Sequence, residues 1–427
     1  MKRTGRLAAL GVAGLIVAAA AAAQARVEWP QWRGPNRDAI SRDTGLLKEW
    51  KAGGPPLAWQ ASGLGAGFSS LSLAGGRLYT MGDVEAGQHV LALDPSNGRI
   101  LWKTKVGPIW DDEYPGPRGT PTTDGDLLYA VGTEGDLVCL EAATGKERWR
   151  RSLERDFGGR MMSGWKFSES PLVDGERLLV TPGAPDAAIV ALDKKSGKEI
   201  WRAAVPELGP KGRDGAAYSS IVVSEGAGVR QYVQLMGRGV IGVRASDGKF
   251  LWGNNRVANQ TANISTPVVR GDNVFASTGY QTGSVLLKLA RTADGVLASE
   301  VYSLDNKTFQ NHHGGFVVIG DHLYGGNGHR LGFPTCLEFA TGKVAWGGDI
   351  RNEGRGSAAV AYADGHLYFR YEDGTVILIE ATPLGYKPKG HFSIPNVRKP
   401  SWPHPVIAGG RLYLREQNDL YVYDVKG

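Results

Sequence analysis

Two adjoining phrases, Thr120-Pro121-Thr122-Thr123-Asp124-Gly125-Asp126-Leu127-Leu128-Tyr129 and Leu140-Glu141-Ala142-Ala143-Thr144-Gly145-Lys146-Glu147-Arg148-Trp149, hold the pattern from which the rest of the chain is read. The first is a short strand, a glycine turn and a second strand ending at an aromatic. The second is an apolar strand, a glycine turn, and a tryptophan four residues beyond the glycine. The first phrase returns with turn glycines at Gly76, Gly175, Gly271, Gly320, Gly365 and Gly410, and a degenerate copy lies near Ile221 to Val233. The second returns as Leu93-Asp94-Pro95-Ser96-Asn97-Gly98 to Trp102, and again at Gly197 to Trp201, Gly248 to Trp252 and Gly342 to Trp346. A unit of roughly 45 to 50 residues is the length of a propeller blade. Each pair of phrases supplies four short antiparallel strands. Such a sheet has two faces to bury and must stack on its neighbours in a ring. The pattern predicts an all-β chain, an eight-bladed β-propeller of four-stranded antiparallel blades. The repeated tryptophans are expected to fill the wedges between blades, with Tyr302 and Tyr386 standing in for them in the fifth and seventh units.

The eighth unit stops at Leu420-Tyr421-Val422-Tyr423-Asp424, without a fourth strand and its tryptophan, and the missing phrase stands at the other end as Pro56-Leu57-Ala58-Trp59. The ring is therefore expected to close on an N-terminal strand, which removes an open edge. In this register Cys139 and Cys336 fall on third strands of the second and sixth units. These lie across the ring, too far apart for a disulfide, so both are expected as free thiols.

The expected organisation is a signal peptide over residues 1–25, an arm over 26–55 and the propeller over 56–427. Lys2, Arg3 and Arg6 precede the apolar run Leu7 to Ala23, and Ala23-Gln24-Ala25 has the small-x-small form of a cleavage site. A periplasmic or secreted location follows as an expectation, with no lipidation cysteine near the cleavage point. In the arm, the tryptophans of Trp29-Pro30-Gln31-Trp32-Arg33-Gly34-Pro35-Asn36-Arg37-Asp38 are expected to pack on the propeller body. Thr44 to Trp50 is expected as a short helix capped by Thr44. The net charge of +6 falls to +3 without the leader's three basic residues, which argues against a nucleic-acid partner. No later stretch has the length and apolarity of a transmembrane segment, and the chain is expected to be a monomer.

With the repeat established, the Leu-Asp-x-x-Thr-Gly-Lys-x-x-Trp phrase resembles the pyrroloquinoline-quinone (PQQ)-like propeller repeat family across nearly all of the mature length. The resemblance implies one of two activities. Quinoprotein alcohol dehydrogenases of this superfamily use PQQ with calcium; outer-membrane assembly-factor propellers act as scaffolds without a cofactor. The adjacent-cysteine pair common in the dehydrogenases and the lipidated cysteine of the assembly factors are both absent from this sequence.

A site is expected where the loops approaching the inner strands meet around the channel mouth. Arg118, Arg355, His312, His313 and His404 are candidates for holding an anion there, and Trp165, Tyr218 and Trp402 for stacking on a sugar or ring. Glu169 and Asn263 are the residue types that bind calcium in the dehydrogenases, but no aspartate at an equivalent mouth position offers a base. The competing view is that small polar residues satisfy strand ends and that arginines bridge blades. Seven of the eight histidines lie beyond residue 311. A metal-dependent enzyme is the third reading, but no ligand spacing supports it and no metal is assigned. The leading expectation is a non-catalytic exported propeller that binds an anionic or sugar-like small molecule, or a protein partner, at one face, with no cofactor. The alternative is a PQQ- and calcium-dependent dehydrogenase acting on an alcohol or sugar.

Overall fold

The computed structural model describes residues 28–293 and 295–427, and the expected leader, residues 1–25, lies outside them. The described chain forms eight four-stranded antiparallel sheets. Blade 1 comprises Ser72–Ala74, Arg77–Val84, Gly87–Leu93 and Ile100–Gly107. The innermost strands of blades 2 to 8 are Thr122–Asp124, Leu172–Asp174, Val222–Ser224, Val268–Arg270, Phe316–Ile319, Ala358–Ala363 and Val406–Ala408. Blade 8 is completed by Leu57–Ser62, which pairs antiparallel with Asp419–Asp424, Trp59 opposite Val422 and Ser62 opposite Asp419. The ring closes as expected. No helix among the described residues is long and apolar enough to cross a membrane.

The core lies in the clefts between blades. Tyr129, Leu137 and Cys139 of blade 2 pack with Leu178, Val190 and Leu192 of blade 3, and Val233 and Leu235 of blade 4 pack with Val274 and Leu287 of blade 5. At the outer end of several clefts, the aromatic of one blade lies on the turn glycine of the next. Trp59 meets Gly98, Trp102 meets Gly145, Trp149 meets Gly197, Trp201 meets Gly248 and Tyr302 meets Gly342. Several of these aromatics also donate a hydrogen bond across the cleft. Trp102 Nε1 reaches Ala142 O at 3.3 Å, Trp149 Nε1 reaches Lys194 O at 3.2 Å and Tyr302 Oη reaches Phe339 O at 2.9 Å. Tyr386, the other replacement, packs against Trp346 with ring centroids 6.0 Å apart. Cys139 and Cys336 are both free and buried.

The arm meets one expectation and departs from the other. Trp29 is buried as predicted, bridging to Leu73, and the segment runs on to the inner strands. Its residues bond at or beside the innermost strands of six blades: Trp29 to Leu73, Pro30 O to Thr123 N, Arg37 to Ser170, Pro171 and Ile221, Arg33 to Phe316, and Ser41 N to Tyr362 O. A segment touching that many inner strands around a ring crosses the central channel and plugs it. The departure is Thr44 to Trp50, which forms no helix. Its backbone donors are taken by the blades: Leu46 N by Asp364 Oδ2, Leu47 N by Val425 O and Trp50 N by Lys389 O, at 2.7 to 2.8 Å. A helix would have to give up those bonds.

Candidate ligand site

Four residues before the end of each innermost strand, the chain passes the channel. In blades 1 to 5 that position is Ser70, Thr120, Ser170, Ser220 and Thr266. Each hydroxyl after the first accepts the backbone N–H of the preceding blade's residue: Ser70 N to Thr120 Oγ1 at 3.1 Å, Thr120 N to Ser170 Oγ at 2.9 Å, Ser170 N to Ser220 Oγ at 3.0 Å and Ser220 N to Thr266 Oγ1 at 2.9 Å. This belt satisfies the strand ends that adjoin the channel. In blades 6 to 8 the same position is Gly315, Ala359 and His404, and the hydroxyl belt stops.

Above the plug lies a cavity of about 380 Å³. The belt residues Ser70, Ser170, Ser220 and Thr266 line it, with Trp32 and Arg33 of the arm at its floor. One wall is an aromatic stack built on Trp402. His313 lies parallel to it, with centroids 4.6 Å apart and planes within 10°, and Phe68 and Tyr114 pack at 4.8 and 4.9 Å. Trp402 Nε1 is anchored to Glu372 Oε1 at 3.0 Å. A second group joins His312, His313, His329 and Tyr280. The rings of His312 meet those of His313 and His329 edge-on at 4.1 and 4.2 Å, and Nδ1 and Nε2 of His312 contact Ser357 Oγ and Tyr280 Oη. Burial pushes the His313 imidazole down to about 3, and burial beside other cationic groups lowers His312 and His404 as well. These rings are neutral at physiological pH. Trp165 and Tyr218 form the opposite wall, 6.0 Å apart edge to face.

Seven of the ten residues singled out by the sequence line the cavity: Arg118, Trp165, Tyr218, His312, His313, Trp402 and His404. Glu169, Asn263 and Arg355 do not. Glu169 is buried behind the belt, its carboxylate accepting from Thr181 N and Oγ1 at 2.7 Å, and burial raises it to about 7. Asn263 is spent on the backbone, donating to Met236 O and Gly237 O and accepting from Asn259 N. Arg355 is exposed outside the lining. Burial keeps the histidines neutral, which leaves the arginines as the charged groups among these candidates. Arg118 is a strut: its guanidinium donates to Gly116 O and Tyr114 O and stacks 4.4 Å from the Trp110 ring.

Arg33 has the opposite character. It is 2% exposed, and Nη2 donates to Asp38 O and Phe316 O, but Nε and Nη1 have no hydrogen-bond partner among the described residues. Burial lowers it only to about 10, so it stays charged. Nothing in the arm's own sequence marks Arg33 as a channel residue. The available signal lies in the repeat, where the belt hydroxyl gives way to Gly315.

The donor set does not fit the calcium–PQQ pair implied by one branch of the superfamily. The two oxygen ligands expected for calcium are engaged elsewhere, and of the carboxylates lining the cavity, Glu113 is exposed and Glu372 accepts from Trp402 Nε1. Among the described residues, no group of three or more His, Cys, Asp or Glu is placed to hold a metal ion.

The comparisons with known proteins agree with this architecture. The chain is 31% identical over 106 residues to the outer membrane protein assembly factor BamB of Xanthomonas campestris pv. campestris, covering 25% of this chain and 25% of that protein. It is 30% identical over 154 residues to quinohemoprotein alcohol dehydrogenase ADH IIB of Pseudomonas putida, covering 34% of this chain and 21% of the enzyme. The matched stretches thus span about a quarter or less of these relatives. The crystal structure of BamB from Moraxella catarrhalis has the same fold, with a TM-score of 0.60 at 14% identity, covering 87% of this chain and 99% of that one. The family described as outer membrane protein assembly factor BamB matches residues 86–347, and the chain belongs to this family of PQQ-like β-propellers.

Proposed function

We propose that this protein is an exported, non-catalytic binding propeller that holds a small molecule in the plugged channel mouth. The observation that carries the reading is the cavity itself, blind at the arm and walled by Trp402, His313, Trp165 and Tyr218. Concave, mostly apolar sites with a few convergent polar groups are the usual form of a ligand pocket. Neutral histidines suit this role, since each offers a donor and an acceptor without repelling a neighbouring cation. The leader-like residues 1–25 support export to a periplasmic or secreted location. A dehydrogenase would need a cation site and a base at the mouth, and the engaged states of Glu169 and Asn263 speak against the first.

The test is tryptophan fluorescence titration with monosaccharides and aromatic carboxylates. Saturable quenching is expected, weakened at least tenfold by Trp402→Ala, equivalent to about 1.4 kcal/mol. Reconstitution with PQQ and calcium against a panel of alcohols is expected to give no dye reduction. Robust turnover, or no saturable binding by any compound, would remove this reading.

A further inference from the structure

Resting on the reading of the mouth as a small-molecule site, we infer that the N-terminal arm supplies its specificity: Arg33, at the cavity floor, pairs with a single carboxylate on the ligand. The channel plug thereby doubles as the recognition element.

Three observations lead there. Arg33 is almost fully buried, yet Nε and Nη1 find no acceptor among the described residues. Buried guanidinium donors rarely stay unpaired, because each carries the full desolvation cost of a charged group. The backbone is also shaped around this group. A Cβ on Gly315 would stand 2.9 Å from Arg33 Nη1, so the guanidinium lies where a side chain at this belt position would crowd it. Beside it, His404 Nδ1 is buried without a partner among the described residues, while the His404 ring packs edge-on against Trp32 at 5.2 Å. The broken side of the belt thus gathers unspent nitrogens around one charge.

The class of ligand follows from what the floor lacks. Glu113 and Glu372 are the carboxylates lining the cavity, and Glu372 is tied to Trp402. Arg118 spends Nη1 and Nη2 on one carbonyl each, and Arg330, which also lines the cavity, is exposed. At the floor, Arg33 therefore offers one positive charge to an acceptor-only group. A carboxylate meets it with charge-assisted bonds, stronger than those to a neutral carbonyl. A phosphate would bring up to two charges to the one guanidinium at the floor. The aromatic walls select a flat apolar body behind the carboxylate.

The experiment is calorimetry with 2-naphthoate, its isosteric amide 2-naphthamide, and 2-naphthyl phosphate. The carboxylate is expected to bind at least tenfold tighter than the amide. In Arg33→Gln the two should bind equally, while Trp402→Ala weakens both and keeps their ratio. Because Arg33 also holds the arm to Phe316, hydrogen exchange on the wild type gives a readout that needs no variant: amides of residues 29–41 should slow with naphthoate and not with naphthamide. Equal affinities in the wild type, a preference that survives Arg33→Gln, or tighter binding of the phosphate would each overturn the assignment. If sugars quench the cavity tryptophans but naphthoate does not bind, the inference fails and the binding reading stands. If nothing binds, both fall.

Discussion

At the scale of single residues, the contact between a turn glycine and the aromatic of the preceding blade does two jobs. Gly145 adopts φ +74°, and a Cβ there would lie 2.5 Å from the Trp102 ring. Gly125, in the inner hairpin of the same blade, has φ +57° but nothing within 4 Å of the added atom. Gly125→Ala should therefore cost about 1 kcal/mol, the backbone penalty alone. Gly145→Ala should cost about 2 to 4 kcal/mol, since overpacking adds to that penalty. Equilibrium denaturation of both variants measures the difference, and equal losses would show that the aromatic contact is slack. A second residue-level consequence concerns pH. Both carboxylate oxygens of Asp83 are buried without hydrogen bonds among the described residues, and burial, opposed by Arg415 and Arg118, raises the group to about 7. Its folded value lies above its unfolded one, so its contribution is full below about pH 4 and is lost as pH rises through 7. Asp83→Asn is expected to flatten the decline in melting temperature between pH 5 and 8. An unchanged slope would mean that the carboxylate is solvated in the folded state.

Among the elements, the latch was fully legible in the sequence, and the arm was not. The latch is one copy of a repeated phrase, so its absence after Asp424 and its presence at Leu57 to Trp59 identify the pairing that the register displays. The arm repeats nothing. Its course depends on where six inner strands present free carbonyls and amides, which exists only once the ring has formed. The failure of the helix expected at Thr44 has the same origin, because local propensity yields to backbone partners supplied by blades 7 and 8. The third strands carry a prediction of their own. Cys139 and Cys336 sit fully buried on them, and burial pushes the thiols up to about 12 and 11. Thiolate is the reactive form. Both cysteines should resist alkylation in the native protein, react after unfolding, and leave the melting temperature indifferent to reductant. Rapid labelling of either one would place it at a surface that this blade register does not allow.

For the whole molecule, the mouth was legible as a place and only partly as chemistry. Repeat register puts Trp402, His313 and Trp165 around one axis, but whether a side chain faces the axis, a strand end or solvent is decided by its turn. Glu169 and Arg355 were therefore indistinguishable from the lining residues until the turns were seen. The feature that organises the site, a plug drawn through the ring, is a property of the assembled propeller. Its main anchor is Arg37, whose buried guanidinium donates to Ser170 O at 2.9 Å, to Ile221 O at 3.1 Å and to Pro171 O, and which faces Glu169. Arg37→Ala leaves three buried carbonyls short of a donor and a buried carboxylate short of its cation. The expected loss is on the order of 3 kcal/mol, taking about 1 kcal/mol for each bond. That loss should be local, because the blades are held by their own ladders and clefts while the arm is held by the channel. Hydrogen exchange should thus accelerate at residues 29–41 and leave the blade strands protected. Naphthoate binding should fall along with it even though Arg33 is intact, because the guanidinium reaches the cavity only when the arm is seated. If Arg37→Ala instead loosens every blade equally, the arm folds as part of the ring and not as a plug set into it.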